Sequence, residues 1–208
     1  MKLFLFSAVF LCVSSLSSAQ NIQLPQPVRT GGKPLMDVLN LRQSAREFDS
    51  EKAISNQTLS KLLWAAWGFN RENKRTAPSS MNRQEIDLYA INKEGIYRYD
   101  AKANNLALIV AGDYRKEAGV QPYVGDAPLN IVFVCNKSKV NSKTESGLIE
   151  ATYANSGFIS QNIYLFCASE GLSTVVRASI AKDKLAKIMK LTDDQIITLA
   201  QTVGYPKK

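Results

Sequence analysis

Residues 147–171 read GLIEATYANSGFISQNIYLFCASEG, and this stretch decides the fold class. Leu148, Ala151, Ala154, Phe158, Ile159, Ile163 and Phe166 recur at helical spacing. The pattern predicts a helix to Glu170 with those residues inward and Gly171 as its stop. A second face of small residues, Ala154, Ser156, Gly157 and Ser160, suits a central or subunit-contact helix. On either side the pattern changes to strand. Ile131–Cys135 is an unbroken apolar run, the mark of a strand buried on both faces. Ser173–Ile180 reads as another short strand, Lys182–Lys190 as a basic helix and Ile196–Val203 as a final strand.

Upstream, Ile86, Leu88 and Ala90 alternate with polar neighbours. Asn92–Gly95 then turns the chain so that Ile96–Tyr99 returns as a hairpin partner. Residues 104–127 mix helical signal with Gly112, Gly119, Pro122 and Gly125, which predicts a helix over 104–112 followed by a mobile loop. Ser55 is placed to cap a helix through Leu59, Leu62, Leu63, Ala66 and Trp67 that ends at Gly68. Pro34 opens a shorter one through Leu41. Helices interspersed with hairpin strands, without internal repeats, make an α+β domain over 34–208. Residues 20–33 carry Pro25, Pro27, Gly31 and Gly32 without periodicity and read as an extended arm.

The chain has 208 residues and no histidine. That excludes Ser/His/Asp and Cys/His catalytic units, His-ligated zinc and a histidine proton shuttle. No metal site is expected, and chemistry falls to carboxylates, thiols, guanidinium, backbone amides or a cofactor. Residues 1–19 read as a secretory signal: Lys2 supplies the positive end, Leu3–Val13 the apolar run, and Ser17 and Ala19 the small residues before the cleavage point. The run is far short of the roughly 20 residues that span a bilayer. Leu11 before Cys12 argues against a lipoprotein site. The expectation is a periplasmic or secreted protein without stable membrane insertion.

Cleavage after Ala19 leaves 25 basic and 18 acidic side chains, a charge of +7. Export and the scatter of the basic residues set nucleic acid aside as a partner and leave a phosphate-bearing ligand open. Cys135 and Cys167 remain, each in an apolar run, as a disulfide or as two buried thiols.

Three stretches stand out. Arg42-Gln43-Ser44-Ala45-Arg46 presents two guanidiniums and a hydroxyl suited to an anion. Pro78-Ser79-Ser80-Met81-Asn82-Arg83-Gln84 offers small hydroxyls and amides that allow close approach of a planar polar ring. Gly171–Ser179 makes a backbone-rich turn after the long helix. Taken singly, these read as a surface arginine pair, a Ser-rich turn and a helix stop.

Their order carries more. The arginine–serine–arginine stretch, a helix ending Leu63-Trp64-Ala65-Ala66-Trp67-Gly68, the Pro-Ser-Ser-x-Asn loop, the long helix ending in Gly171-Leu172 and a terminal Val203-Gly204-Tyr205-Pro206 together resemble the nitroreductase family. The likeness is to the branch that includes the oxidases of thiazole and oxazole peptide biosynthesis. It runs from about Leu35 to Pro206 and implies an FMN-binding homodimer, with a central, mostly antiparallel sheet flanked by helices and flavins at the subunit interface. It implies that Arg42 and Ser44, with Gln43 between them, contact the FMN phosphate, and that Arg46 acts catalytically at the flavin N1/O2 edge. Pro78, Ser79, Ser80 and Asn82 match the loop laid against the partner's flavin. Val176, Arg177 and Ala178 match the backbone beside N5. Lys207 is offered as a basic residue for the phosphate. Ala178-Ser179 stands where the family often has an acidic residue and glycine.

The activity implied is two-step hydride transfer through flavin to a small nitroaromatic or quinone-like acceptor. Nicotinamide is the family's usual donor, and an exported enzyme has no ready supply of it. The alternatives are a flavin dehydrogenase or oxidase acting on a peptide or heterocycle, and a non-catalytic binding protein that retains the fold.

Overall fold

The structure is a computed structural model that describes residues 20–207; the expected signal segment 1–19 lies outside the described residues. Its scaffold is a seven-stranded sheet in the order β1-β6-β5-β4-β7-β9-β8, with every pair antiparallel. The strands are β1 (Ile22–Gln23), β4 (Ile86–Ile91), β5 (Gly95–Asp100), β6 (Asn105–Ala111), β7 (Leu129–Asn136), β8 (Ser173–Arg177) and β9 (Gln195–Gly204). A separate small hairpin joins β2 (Phe69–Arg71) to β3 (Lys74–Arg75).

β7 is central, and its continuous apolar run follows from having two covered faces. Ile131, Phe133 and Cys135 join one core with Leu62, Leu63, Trp67, Ile159 and Ile163, while Val132 and Val134 join a second with Leu185, Met189 and Ala200. The first core lies under α2 (Asn56–Trp67) and α4 (Glu145–Glu170), and the second under α5 (Lys182–Ile188). Among the described residues no helix is long and apolar enough to cross a membrane.

The helix ends follow the signals in the chain. Ser55 accepts from the Thr58 N–H at the start of α2, and Thr144 does the same for Gly147 at the start of α4. Gly171 closes α4 in the left-handed region, at φ 71°. Gly68 ends α2 for another reason: a Cβ there would stand 2.3 Å from Cδ1 of Trp64. The short α1 (Leu35–Leu41) begins after Pro34 and packs against α4.

Three expectations need correction or refinement. Residues 104–112 are not helical but form β6, which pairs with β5 on one side and β1 on the other. Asp100 accepts from the Lys102 and Ala103 amides, and Asn104 takes φ 50°, so the chain reverses straight into a strand. The segment after it forms a 3₁₀ turn at Arg115–Ala118 and a one-turn α3 (Tyr123–Asp126).

The inward face of α4 also differs: Phe158 is 48% exposed and Ala154 is exposed, whereas Thr152, Asn155, Ser156 and Ser160 are buried. Polar side chains can face the core here because they find partners. Thr152 Oγ1 donates to the Leu148 carbonyl at 2.5 Å, Asn155 Nδ2 to Glu85 Oε1 at 2.5 Å, and the Ser156 and Thr198 hydroxyls lie 2.8 Å apart. Finally, the 20–33 arm is extended but part of it joins the sheet as β1, with Leu24 buried behind it. Cys135 and Cys167 are both free and buried.

Candidate functional site

α1 ends at Arg42 in extended backbone, and the chain then follows the outer edge of β8, the last strand of the sheet. The Ala45 amide donates to the Thr174 carbonyl at 3.0 Å, Phe48 bridges to Pro206, and the Asp49 amide donates to the Tyr205 carbonyl at 2.9 Å. Two of the expected site stretches, 42–46 and 176–178, are therefore neighbours. In extended chain, alternate residues share a side. Arg42, Ser44 and Arg46 stand at alternate positions. Gln43 and Ala45 instead line a cavity of about 220 Å³ with Lys33, Gly171 and Thr174.

Tyr164 of α4 joins the two stretches. Its hydroxyl lies 2.8 Å from Ser44 Oγ and accepts from the Val176 amide at 3.0 Å, and the Arg42 guanidinium stands over its ring, 5.4 Å from the centre. Sequence reasoning missed Tyr164. One signal was present: within Ile163-Tyr164-Leu165-Phe166 a phenol is the single polar tip, and a buried phenol requires a partner.

Arg42 is half-buried and Arg46 exposed, and among the described residues neither is paired with a carboxylate. This donor set, two guanidiniums without a carboxylate partner and a hydroxyl, has the chemistry to bind a phosphomonoester. Lys207 is exposed and borders a separate hollow of about 310 Å³ with Phe48, Asp49, Ser50 and Asp126.

Arg177 has another role for its side chain. It points inward, where Nη2 donates to the Ala118 carbonyl and to Asn130 Oδ1, both at 2.9 Å, and Nη1 donates to Thr202 Oγ1. Burial without a carboxylate partner pushes its pKa down to about 10. Only its backbone is available at the β8 edge, while Ala178 is exposed just past the strand.

The third stretch is held elsewhere. Pro78 is exposed and Ser79 half-buried, and Ser80–Asn82 form a single 3₁₀ turn before β4. Met81, Asn82 and Gln84 all take positive φ, 53°, 55° and 52°, which costs side-chain-bearing residues energy. A network offsets that cost. Ser79 Oγ accepts from the Gln84 amide at 3.0 Å, and the Asn73 carbonyl at the β2–β3 turn accepts from Asn82 Nδ2 at 3.1 Å and Gln84 Nε2 at 2.9 Å.

Arg75 anchors this network. Its Nε donates to Gln84 Oε1 at 2.9 Å and its Nη1 to the Trp67 carbonyl at 2.7 Å, with the guanidinium 4.1 Å from the Phe69 ring centre. Burial lowers the Arg75 pKa, and Tyr99, Asp87 and Asp100 partly counter it. The loop therefore presents Met81, 83% exposed, to the outside.

The loop and the Ser44 cluster do not meet within one chain. Glu85, next to the loop, bonds Asn155, whereas Ser44 bonds Tyr164. Those two α4 residues are about 14 Å apart along the helix axis. Leu35, Met36, Leu39 and Leu41 of α1 and Ile149 and Phe158 of α4 are exposed apolar side chains, and α1 packs against α4. Among the described residues no group of three or more Cys, Asp or Glu is placed to hold a metal ion.

Comparisons with known proteins bear on the family and the fold. The Nitroreductase family model matches residues 39–205. A crystal structure from Ralstonia eutropha JMP134, named as a nitroreductase, shares 41% identity over 92% of each chain with a TM-score of 0.86. A Methanocaldococcus jannaschii protein that carries a nitroreductase name is 24% identical over 88% of this chain and 96% of its own length. The Escherichia coli microcin synthetase McbBCD complex, solved with truncated pro-MccB17 bound, shares the fold with a TM-score of 0.69 and 18% identity, over 99% of this chain and 85% of that one.

Proposed function

The chain belongs to the nitroreductase family, and on that premise we propose that it is an exported, FMN-dependent oxidoreductase, working as a homodimer and reducing a small nitroaromatic or quinone-like acceptor. The observation that carries the reading is the cluster at Tyr164. Ser44, the Arg42 guanidinium and the Val176 amide converge there, with no carboxylate to satisfy either Arg42 or Arg46 among the described residues.

FMN, when bound, supplies the capacity to accept a hydride from a donor and return it to an acceptor. The chain's residues have narrower tasks. Arg42 and Ser44 hold the phosphate. Arg46 places a guanidinium at the N1/O2 edge, where negative charge collects on reduction, and so favours the reduced ring. Val176, Arg177 and Ala178, at and just past the end of β8, would face N5 through their backbone, with Ala178-Ser179 standing where the family often has an acidic residue and glycine. Lys207 adds positive charge near the terminus.

The loop at Pro78, Ser79, Ser80 and Asn82 serves the other copy's flavin. Its distance from Ser44 in one chain and the exposed apolar residues of α1 and α4 both support a dimer. Apolar side chains exposed in such a group are the usual mark of a contact surface.

The test is the visible spectrum of the purified protein, with the bound molecule released and identified. A protein that stays colourless after FMN is added refutes the enzyme reading and leaves a binding protein with this fold. Arg46→Ala is expected to lower the flavin reduction potential, and an unchanged potential removes Arg46 from the N1/O2 edge. Fractionation of cells tests export, and a precursor retained in the cytosol at full length contradicts it. A second reading, oxidation of a peptide or heterocycle, draws on the fold shared with the microcin synthetase complex. Profiling flavin reoxidation and reduction against quinones, nitroaromatics and azoline peptides separates the two.

A further inference from the structure

We propose that Tyr164 fixes Ser44 as a hydrogen-bond donor toward an anion, and that this gives the chain its preference for a phosphorylated flavin over one without phosphate. The inference rests on the flavin reading above and adds a positioning residue to it.

The argument is one of hydrogen-bond direction. An amide N–H can only donate, so the Val176 amide at 3.0 Å makes the Tyr164 oxygen an acceptor on that side. The phenol has one proton left to place. Tyr164 is 6% exposed, and among the described residues the oxygen within reach is Ser44 Oγ, at 2.8 Å. If Ser44 donated instead, the phenol proton would have no acceptor in the protein and only the cavity of about 220 Å³ that Tyr164 also lines to turn to, whereas with Tyr164 donating the phenol is satisfied within the protein on both sides. Tyr164 therefore donates, and Ser44 accepts.

With that lone pair filled, the hydroxyl proton of Ser44 is free to turn to the exposed side, between Arg42 and Arg46. A serine held this way offers a donor where an anion would sit. The same tyrosine also carries Arg42, whose guanidinium rests over its ring. One side chain thus orients both groups expected at the phosphate and ties them to the β8 backbone.

The experiment measures the dissociation constants of FMN and riboflavin for the whole processed chain, by quenching of flavin fluorescence, in wild type, Tyr164→Phe, Ser44→Ala and the double variant. Wild type is expected to favour FMN. Tyr164→Phe keeps the ring and removes only the hydroxyl, so FMN affinity should fall roughly five- to thirtyfold, with riboflavin affinity changed less than about twofold. Ser44→Ala should do the same. The double variant should lose no more than about twofold beyond either single one, because both remove a single donor.

A Tyr164→Phe protein that keeps the wild-type ratio of FMN to riboflavin affinity overturns the proposal, as do two single losses that multiply. Should Tyr164→Phe fail to fold, Ser44→Ala on the exposed side decides, and an unchanged ratio there overturns it. A wild-type chain that binds both flavins equally refutes the role of Ser44 while leaving flavin binding intact. A chain that binds neither refutes the flavin reading itself, and this proposal with it.

Discussion

Arg75→Met is the perturbation that best tests how the loop before β4 is held. Arg75 makes two charge-assisted hydrogen bonds, to Gln84 Oε1 at 2.9 Å and to the Trp67 carbonyl at 2.7 Å. Each is worth about 1.5–3 kcal/mol. Its guanidinium also lies over Phe69 at 4.1 Å and Trp67 at 5.0 Å, adding about 0.5–2 kcal/mol. Against these stands the burial that lowers the Arg75 pKa, a cost that methionine does not incur. The net loss expected is about 3 kcal/mol, or roughly 6–12 °C in Tm for a chain of this size.

That figure matters because three residues of the loop sit at positive φ, at about 1 kcal/mol each. The network and the strain are comparable, so removing its anchor lets Met81, Asn82 and Gln84 relax. FMN affinity should then fall at least about tenfold, although Arg75 lies outside the Ser44 cluster. Arg75→Lys keeps the charge but cannot fork to both acceptors, and should show about half the loss of stability. Thermal melts and flavin titration of the three proteins supply the data. A methionine variant that melts within 1 °C of wild type and binds FMN equally well refutes the reasoning.

Other predictions follow from buried groups. Arg177→Met removes the guanidinium donor from the Ala118 carbonyl and leaves Asn130 Oδ1 with Thr202 Oγ1 as its remaining donor; it should cost about 3 kcal/mol by urea unfolding, with FMN affinity of the folded protein within about twofold; loss of FMN at unchanged stability would assign its side chain to the ligand instead. Burial pushes the thiols of Cys135 and Cys167 up in pKa, so neither should react with a thiol reagent in the native protein, and both should react after unfolding. A disulfide or a fast native reaction contradicts this. Tyr99 is raised from 10.0 to about 12 by burial, so the folded state favours its neutral form. The stability this gives is full below pH 10 and is lost as pH rises through 12, about 3 kcal/mol in all. Urea unfolding between pH 9 and 12 should show that loss in wild type and a smaller one in Tyr99→Phe; equal losses would place the alkaline transition elsewhere.

Where a segment's structure is set by its own residues, the sequence was readable. α2 has its cap at Ser55 and its apolar stripe within twelve residues, and β7 declares two covered faces by having no polar position from Ile131 to Val134. β6 was misread because Asn105–Ala111 is rich in Leu and Ala, and what makes it a strand is pairing with β5 and β1. The inward face of α4 was misread for a similar reason. Ser156 and Asn155 turn inward because Thr198 and Glu85, 42 and 70 positions away, meet them there. At the site, Arg42, Ser44 and Arg46 were visible as a motif. Tyr164 was not, since its partners stand 120 and 12 residues away and only the folded chain brings them together.

A sheet of this kind has two margins at which a stray strand from another molecule could add. At one, β1 covers β6; at the other, the chain from Ala45 to Asp49 lies along β8 and the terminal Tyr205-Pro206. The second cover is continuous with the Arg42–Arg46 segment that the flavin reading places against the FMN. A ligand that holds this segment down therefore also guards the margin beneath it against edge-to-edge association. Chain produced under flavin starvation would then aggregate sooner than its core stability alone dictates, and FMN added during refolding would raise the yield of soluble protein.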